Sequence, residues 1–127
     1  MTEAQELGRF AEDRAAEYIV SLGWKILARN VRNDYGELDI IAADGHELVI
    51  TEVRARTVGK IQSPADSIGS RKLRTLTRSG LEFVNDIEWD GFWRIDVIGI
   101  TFHDKNNINN WELEHIKDIT AGMNIPT

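Results

Sequence analysis

Two acidic residues, Asp39 and Glu52, have the type and spacing for chemistry, because they lie on either side of a predicted chain reversal. Asp44 and Gly45 form the reversal signal, since both central positions of a type I′ hairpin turn need a positive φ. Across such a hairpin the two acids are diagonal neighbours, about 7 to 8 Å apart. One divalent cation can bridge them, because Mg²⁺ and Mn²⁺ prefer oxygen ligands and bind one or two carboxylates together with substrate phosphates. The pair therefore predicts metal-assisted chemistry at a phosphate.

The predicted turn also sets the register of the two strands. It pairs Ala43 with His46, and further along the strands Asp39 then faces Ile50. Because alternate strand residues share a face, one face carries Glu37, Asp39, Ile41, Leu48, Ile50, Glu52 and Arg54. The opposite face carries Leu38, Ile40, Ala42, Val49, Thr51 and Val53. The first face thus ends, far from the turn, in a patch of three carboxylates and one guanidinium.

Spacing alone leaves two interpretations of this acidic patch open. In the first, the acids form salt bridges with Arg32, Arg54 or Arg56 at a solvated end of the sheet. In the second, a bound cation offsets the repulsion of three like charges on one face. Such a cation would polarise a phosphoryl oxygen and lower the pKa of a bound water. Arg54 would then stabilise the negative charge of the transition state.

The elements that position these residues follow from the apolar periodicity of the chain. Apolar residues at three- and four-residue steps predict a first helix over residues 3–22, which Gly23 ends. Alternating or densely apolar segments predict strands over residues 24–31, 38–43, 47–53, 93–102 and 111–116. Pro64 is predicted to open a long second helix that ends near residues 85–90. A helix between the third and fourth strands implies a parallel crossover, and hence an α/β fold with a mixed five-stranded sheet.

Composition limits the kind of protein and the kind of metal site. The 127 residues predict one domain, with a loose tail after Lys117. The chain has no cysteine, so a metal would be held by carboxylates, histidines or backbone oxygens. Neither a membrane span nor a secretory signal is recognisable, which predicts a cytoplasmic protein with no membrane partner. A net charge of -6 argues against a non-specific nucleic-acid coat protein.

One segment is nevertheless locally basic. Between positions 54 and 78 a single acid, Asp66, opposes Arg54, Arg56, Lys60, Arg71, Lys72, Arg74 and Arg78. This run is either a solvated helix face or a footprint for phosphates, and charge alone does not separate the two.

Several short stretches together resemble a known family. They are Gly8 through Glu12 to Ala15, Asn30, Gly36 to Asp39, Glu52 to Arg54 with Arg56, Pro64, Lys72, and Arg94 to Asp96. In this order and spacing the chain resembles the YraN-like family of uncharacterised bacterial proteins. That family is similar to archaeal Holliday-junction resolvases and restriction-endonuclease-like nucleases. The resemblance covers nearly the whole chain and implies a restriction-endonuclease-like three-layer fold, in the order α-β-β-β-α-β-β.

The resemblance also implies an activity and a set of site residues. The nuclease signature is an acid, a variable gap, and then an acid, any residue and a lysine, which match Asp39, Glu52 and Arg54. Glu12 matches a glutamate on the first helix that often joins such sites. The implied protein is a Mg²⁺- or Mn²⁺-dependent endonuclease acting on branched or single-stranded DNA. Its metal ligands are Asp39, Glu52 and Val53, and its catalytic residues are Glu12, Asp39, Glu52 and Arg54.

Further contacts follow from the same hypothesis. Arg56, Lys60, Arg71 and Lys72 are expected to track the DNA backbone. The near two-fold symmetry of a junction is compatible with a homodimer. Asp96 would support the site from the next strand, or instead pair with Arg94.

The departure at position 54 keeps a second function open. Arginine cannot act as a general base and is not equivalent to an ammonium. If the site needs a lysine to orient or deprotonate water, the chain is a catalytically degenerate module that binds nucleic acid or a protein. This alternative does not hold if Lys72 or Lys60 reaches the site.

Overall fold

The order of helices and strands in the structure is the predicted one. The computed structural model describes residues 2–58, 67–104 and 106–120. Over these ranges the elements are α1 (Glu3–Ser21), β1 (Lys25–Asn33), β2 (Gly36–Asp44), β3 (Glu47–Thr57), α2 (Ser70–Asp86), β4 (Trp93–Phe102) and β5 (Trp111–Ile116). None of the helices described has the length and apolar character that crossing a membrane requires.

The five strands form one mixed sheet in the order β1-β2-β3-β4-β5. Strands β3 and β4 are parallel, as a crossover through α2 requires, and the other neighbouring pairs are antiparallel. One buried cluster joins α1 to the sheet, and a second cluster joins α2 to it. The sheet therefore lies between two helices, which confirms the α/β class and the three-layer, restriction-endonuclease-like fold.

Helix α1 begins at a capping box. The Thr2 hydroxyl accepts the Gln5 N–H, and the Gln5 side chain accepts the Thr2 N–H. Its inner face packs Ala11, Ala15 and Ile19 against the sheet, and all three are fully buried. Small residues at two of these positions let the helix axis approach the strands closely. The position of α1 relative to the sheet, and with it the position of its other side chains, is fixed by this packing.

Helix α2 contacts the other face of the sheet at Gly80. A Cβ at this position would lie 2.8 Å from both Ile50 Cδ1 and Trp93 Cζ3, so only glycine permits this approach. The predicted start of the helix was wrong, because α2 begins at Ser70 with Gly69 as an extended N-cap. Glycine is a poor residue for a helix interior and an acceptable cap, which explains the later start. Pro64 lies outside the described residues.

The hairpin between β2 and β3 turns one residue later than predicted. Asp44 pairs with Glu47, so the turn consists of Gly45 and His46. Gly45 has a φ of 60°, whereas His46 is not among the residues with a positive φ. This pattern matches a type II′ turn, which needs glycine at its first central position only. The predicted pairing of Ala43 with His46 is therefore wrong.

The correct register changes the partners and leaves the shared faces almost intact. Ile50 pairs with Ile41 rather than with Asp39. Because the register shifts by two residues, an even number, each strand keeps its inner and outer faces. The exception is Leu38, which joins the cluster under α2, whereas Ile40 joins the cluster under α1. Strand alternation is thus interrupted at Asp39.

The chain after β5 is attached to the sheet as far as it is described. The Ile119 N–H donates to the Ile95 carbonyl, and the Asp118 N–H donates to Asp96 Oδ1. Thr120 is buried. The tail predicted to be loose after Lys117 is therefore anchored through residue 120, and residues 121–127 lie outside the described residues.

Candidate active site

Asp39 and Glu52 meet where β2 and β3 part. The pairing of these strands ends at Ile40 and Thr51, one step before the two acids would face each other. In place of a further backbone bond, Asp39 Oδ2 accepts the Val53 N–H at 2.9 Å. The carboxyl groups of Asp39 and Glu52 are near enough for Glu52 to act on the pKa of Asp39. Glu52 is only 5% exposed.

The closeness of the two carboxyl groups changes the acidity of Asp39. The pKa of Asp39 is raised to about 7, first by burial and then by the neighbouring Glu52 carboxyl group. The Val53 N–H and Lys72 act in the opposite direction on this pKa. Two carboxyl groups in contact need a proton or a cation between them. At neutral pH a cation therefore competes with a proton for this position.

Two basic side chains reach Glu52 from different elements. Lys72 of α2 places its Nζ 3.3 Å from Glu52 Oε2. Arg54 of β3 places Nη2 3.5 Å from the same oxygen. An ammonium from α2 thus lies beside the acid pair, as in one of the alternatives that the sequence left open for the lysine absent at position 54.

Arg54 has unused hydrogen-bonding capacity. Its Nε is buried and has no hydrogen-bond partner among the described residues. A guanidinium is a planar fork whose N–H groups match the oxygens of a phosphate. The side chain as a whole is 33% exposed, so the accessible edge of its guanidinium offers N–H donors beside the acid pair to a phosphate oxygen.

The donor set fits Mg²⁺ or Mn²⁺ better than a metal held wholly by protein. Over residues 2–58, 67–104 and 106–120, no group of three or more His, Cys, Asp or Glu side chains is arranged to hold a metal ion. Glu37, predicted to be the third carboxylate of the patch, lies instead 3.2 Å from Arg32 Nη2. Two carboxylates with space for waters and a substrate phosphate are what these cations commonly use. Asp39 and Glu52 would hold the cation, and the Val53 main chain adjoins them.

Glu12 approaches this edge from α1 without touching either acid. Its Oε1 accepts from Arg29 Nε at 3.1 Å and from Asn30 Nδ2 at 2.9 Å. Asn30 lies opposite Asp39, between two paired positions of β1 and β2, and has a φ of 53°. Asparagine adopts this left-handed conformation more readily than most residues. Asn30 thus connects Glu12 to the edge of the site, because it donates to Glu12 and lies opposite Asp39. The sequence analysis did not predict this role.

The predicted nucleic-acid contacts are only partly gathered at the site. Lys72 contacts Glu52, and Arg71 is exposed in the first turn of α2. Arg56 instead donates from Nε to Thr101 Oγ1 of β4, four residues beyond Glu52 along β3. Lys60 lies outside the described residues.

Asp96 belongs to a separate buried network rather than to the acid pair. It is fully buried and accepts from Arg94 Nε at 2.9 Å, the pairing that the sequence offered as its alternative role. His115 Nε2 lies 2.8 Å from Asp96 Oδ2, and His115 Nδ1 lies 2.9 Å from the Tyr18 hydroxyl. The sequence showed no partner for His115. An aspartate within a run of Ile and Val was the available signal for this network.

A mixed five-stranded sheet between two helices, with an acid pair where its second and third strands part, defines a restriction-endonuclease-like α/β protein. The profile described as "Uncharacterised protein family UPF0102" matches residues 11–100, and the chain belongs to this family.

Relatives from distant bacteria support the assignment along most of the chain. A UPF0102 protein of Chlorobium chlorochromatii is 38% identical over 115 residues, 89% of each chain. One from Mycobacterium bovis is 40% identical over 122 residues, 94% of each chain. One from Thermodesulfovibrio yellowstonii is 35% identical over 113 residues, which are 89% of this chain and 94% of the relative. The predicted resemblance to the YraN-like family is confirmed.

Proposed function

We propose that the protein is a Mg²⁺- or Mn²⁺-dependent endonuclease that hydrolyses phosphodiester bonds in branched or single-stranded DNA. The observation that carries the proposal is the position of Asp39 and Glu52 side by side where β2 and β3 part, with Lys72 Nζ 3.3 Å from Glu52 Oε2. When bound, the cation polarises a phosphoryl oxygen and lowers the pKa of a water. A cytoplasmic location and a homodimer remain predictions that accompany this function.

The side chains have distinct tasks in this proposal. Asp39 and Glu52 hold the cation, and the Val53 N–H keeps the Asp39 carboxylate oriented toward the gap between the strands. Arg54 directs the accessible N–H groups of its guanidinium to a nonbridging phosphate oxygen and stabilises the charge that develops there. Lys72 supplies a mobile ammonium that can orient the attacking water, a task that a guanidinium performs poorly.

Cleavage assays test this function directly. Labelled flap, junction and single-stranded DNA are incubated with the protein and either Mn²⁺, Mg²⁺ or a chelator. We expect metal-dependent cleavage that Asp39→Asn and Glu52→Gln abolish. Glu114→Gln, which changes an exposed acid on β5, is the matched control and should cleave as the natural protein does. Equal cleavage by Asp39→Asn would contradict the assignment of the site.

A non-catalytic module is the second candidate. Two observations favour it, namely arginine at the position of the signature lysine and a net charge of -6. Such a module would bind nucleic acid or a protein through the same surface and would not hydrolyse it. Tight DNA binding without cleavage, by the natural protein and by Arg54→Lys alike, would support the module over the enzyme.

A further inference from the structure

The first half of α2 carries a row of exposed arginines. Arg71, Arg74 and Arg78 follow one another at steps of three and four residues and therefore lie along one side of the helix. The row is about 10 Å long, given the helical rise per residue. No described carboxylate forms an ion pair with any of the three. Their positive charge is available to a partner outside the described chain.

The first arginine of this row, Arg71, lies where a cation does not stabilise the helix. The amino-terminal end of a helix carries a partial positive charge, so basic residues are unfavourable there and acids are favourable. Helix α1 follows the rule with Glu3 and Glu6 in its first turn. Helix α2 has no acid in its first turn, and its cap, Gly69, contributes no side-chain hydrogen bond. The placement of Arg71 in this first turn therefore costs helix stability, a cost that an anion bound beside it would offset.

The two ends of the row have different neighbours. At the end with Arg71, the adjacent Lys72 contacts Glu52 of the acid pair. At the other end, Arg78 and Tyr35 line a cleft of about 610 Å³. Tyr35 comes from the turn between β1 and β2 and is 52% exposed, so one face of its ring is accessible to a ligand.

The cleft suits a base better than a phosphate. Asp34, Glu82 and Asp86 line its wall together with Arg78 and Tyr35. Carboxylates repel a phosphate, whereas they accept hydrogen bonds from the amino groups of nucleobases. An exposed tyrosine ring is a platform on which an unpaired base stacks. A base inside a duplex cannot reach such a ring without leaving its stack.

We propose that the arginine row and Tyr35 form a track for a single strand of nucleic acid, with phosphates along Arg71, Arg74 and Arg78 and an unpaired base on Tyr35. The track adds a substrate-binding surface to the proposed nuclease. It rests on the proposed function in one respect, namely that the strand bound by the track is the strand cleaved beside Lys72 and the acid pair. Binding by the track does not require hydrolysis.

Binding without metal separates the track from the chemistry. Fluorescence anisotropy with the full-length protein, in a chelator at neutral pH, compares labelled oligodeoxycytidine, whose bases carry an amino group, with a duplex of equal length over a series of salt concentrations. We expect tighter binding to the single strand. Arg74→Ala with Arg78→Ala should reduce the slope of log K against log salt by about 1.4, roughly 0.7 for each phosphate contact.

Variants of Tyr35 test the stacking contact, and a variant of Arg9 serves as a control for the loss of positive charge. Tyr35→Ala should weaken single-strand binding roughly tenfold, and Tyr35→Phe should preserve it, because the stacking face remains. Arg9→Ala removes an exposed arginine from α1 and should leave the slope unchanged. Circular dichroism of each variant should match that of the natural protein, since all four side chains are exposed.

Each other result has a definite meaning. Equal effects of Arg9→Ala and the paired α2 variant, a preference for duplex, or unchanged binding by Tyr35→Ala would each overturn the track. If the natural protein cleaves DNA with Mn²⁺ while the track variants bind normally, the track fails and the nuclease stands. If the track variants lose binding as expected and the natural protein does not cleave DNA with Mn²⁺ or Mg²⁺, the track stands and the nuclease fails.

Discussion

Lys72 Nζ lies 3.3 Å from Glu52 Oε2, so a lysine of α2 contacts the acid of β3 beside which the nuclease signature places its own lysine. The signature position itself holds Arg54, whose Nη2 lies 3.5 Å from the same oxygen. Two positively charged side chains, one from α2 and one from β3, thus contact the same carboxylate. This arrangement suggests that the task of one lysine is divided between two residues.

The division predicts how the two residues respond to substitution. Lys72→Ala should lower the single-turnover cleavage rate about 10²- to 10³-fold, the usual effect of removing one stabilising group from a transition state. Arg54→Lys introduced into that variant should recover part of the rate, because it restores an ammonium at the signature position. Lys25→Ala, at an exposed position of β1, is the control and should have no effect. Full activity of Lys72→Ala would contradict the role of Lys72.

The acid pair predicts a pH-dependent stability. The pKa of Asp39 is about 7 in the folded protein, against an ordinary value of 3.8. A carboxyl group with a raised folded pKa favours folding below its unfolded pKa, and this contribution is lost as the pH rises through about 7. Asp39→Asn keeps an acceptor for the Val53 N–H and carries no charge. The variant should therefore be more stable than the natural protein at pH 8, by roughly 1–2 kcal/mol.

Urea unfolding at pH 5 and pH 8 measures this effect. The difference in free energy of unfolding between Asp39→Asn and the natural protein should grow between these pH values. Glu114→Gln should show no such growth, because that acid is exposed. A difference that shrinks toward pH 8 would mean that Asp39 is ionised more easily than its surroundings indicate.

Gly80 predicts a packing limit between α2 and the sheet. Gly80→Ala places a methyl group 2.8 Å from Ile50 Cδ1 and Trp93 Cζ3 and should destabilise the protein by about 1–3 kcal/mol. Gly8→Ala on α1 is the matched control, since nothing lies within 4 Å of its Cβ, and it should stabilise by about 0.4–1 kcal/mol. Thermal unfolding monitored by circular dichroism compares them. Similar shifts for both variants would contradict the close approach at Gly80.

The buried network around Asp96 predicts a loss of stability that is independent of chemistry. Asp96→Ala leaves Arg94 and His115 without their shared partner and should cost about 3–5 kcal/mol. Denaturant unfolding measures this cost. DNA binding at low temperature, where the variant remains folded, should match that of the natural protein. Lost binding by a folded Asp96→Ala variant would assign Asp96 to the nucleic-acid surface.

The sequence was sufficient for the elements and for most faces of the sheet. The boundaries of β4 and β5 agree with the predicted segments, because dense or alternating apolar residues are a local signal. The turn between β2 and β3 was placed one residue early. That error moved the register by two residues, and strand faces repeat every two residues. Asp39 and Glu52 therefore remained at the same edge of the sheet, one step beyond the last paired residues, Ile40 and Thr51, rather than as diagonal neighbours.

Tertiary structure alone decided which side chains meet the acids. Lys72 is twenty positions from Glu52 along the chain, and its approach depends on how closely α2 packs at Gly80. The left-handed backbone at Asn30 turns its side chain to Glu12. Periodicity reports the environment of a residue within its own helix or strand. Contacts between elements depend on the distance and angle at which those elements pack, and side chains remote in sequence together determine both.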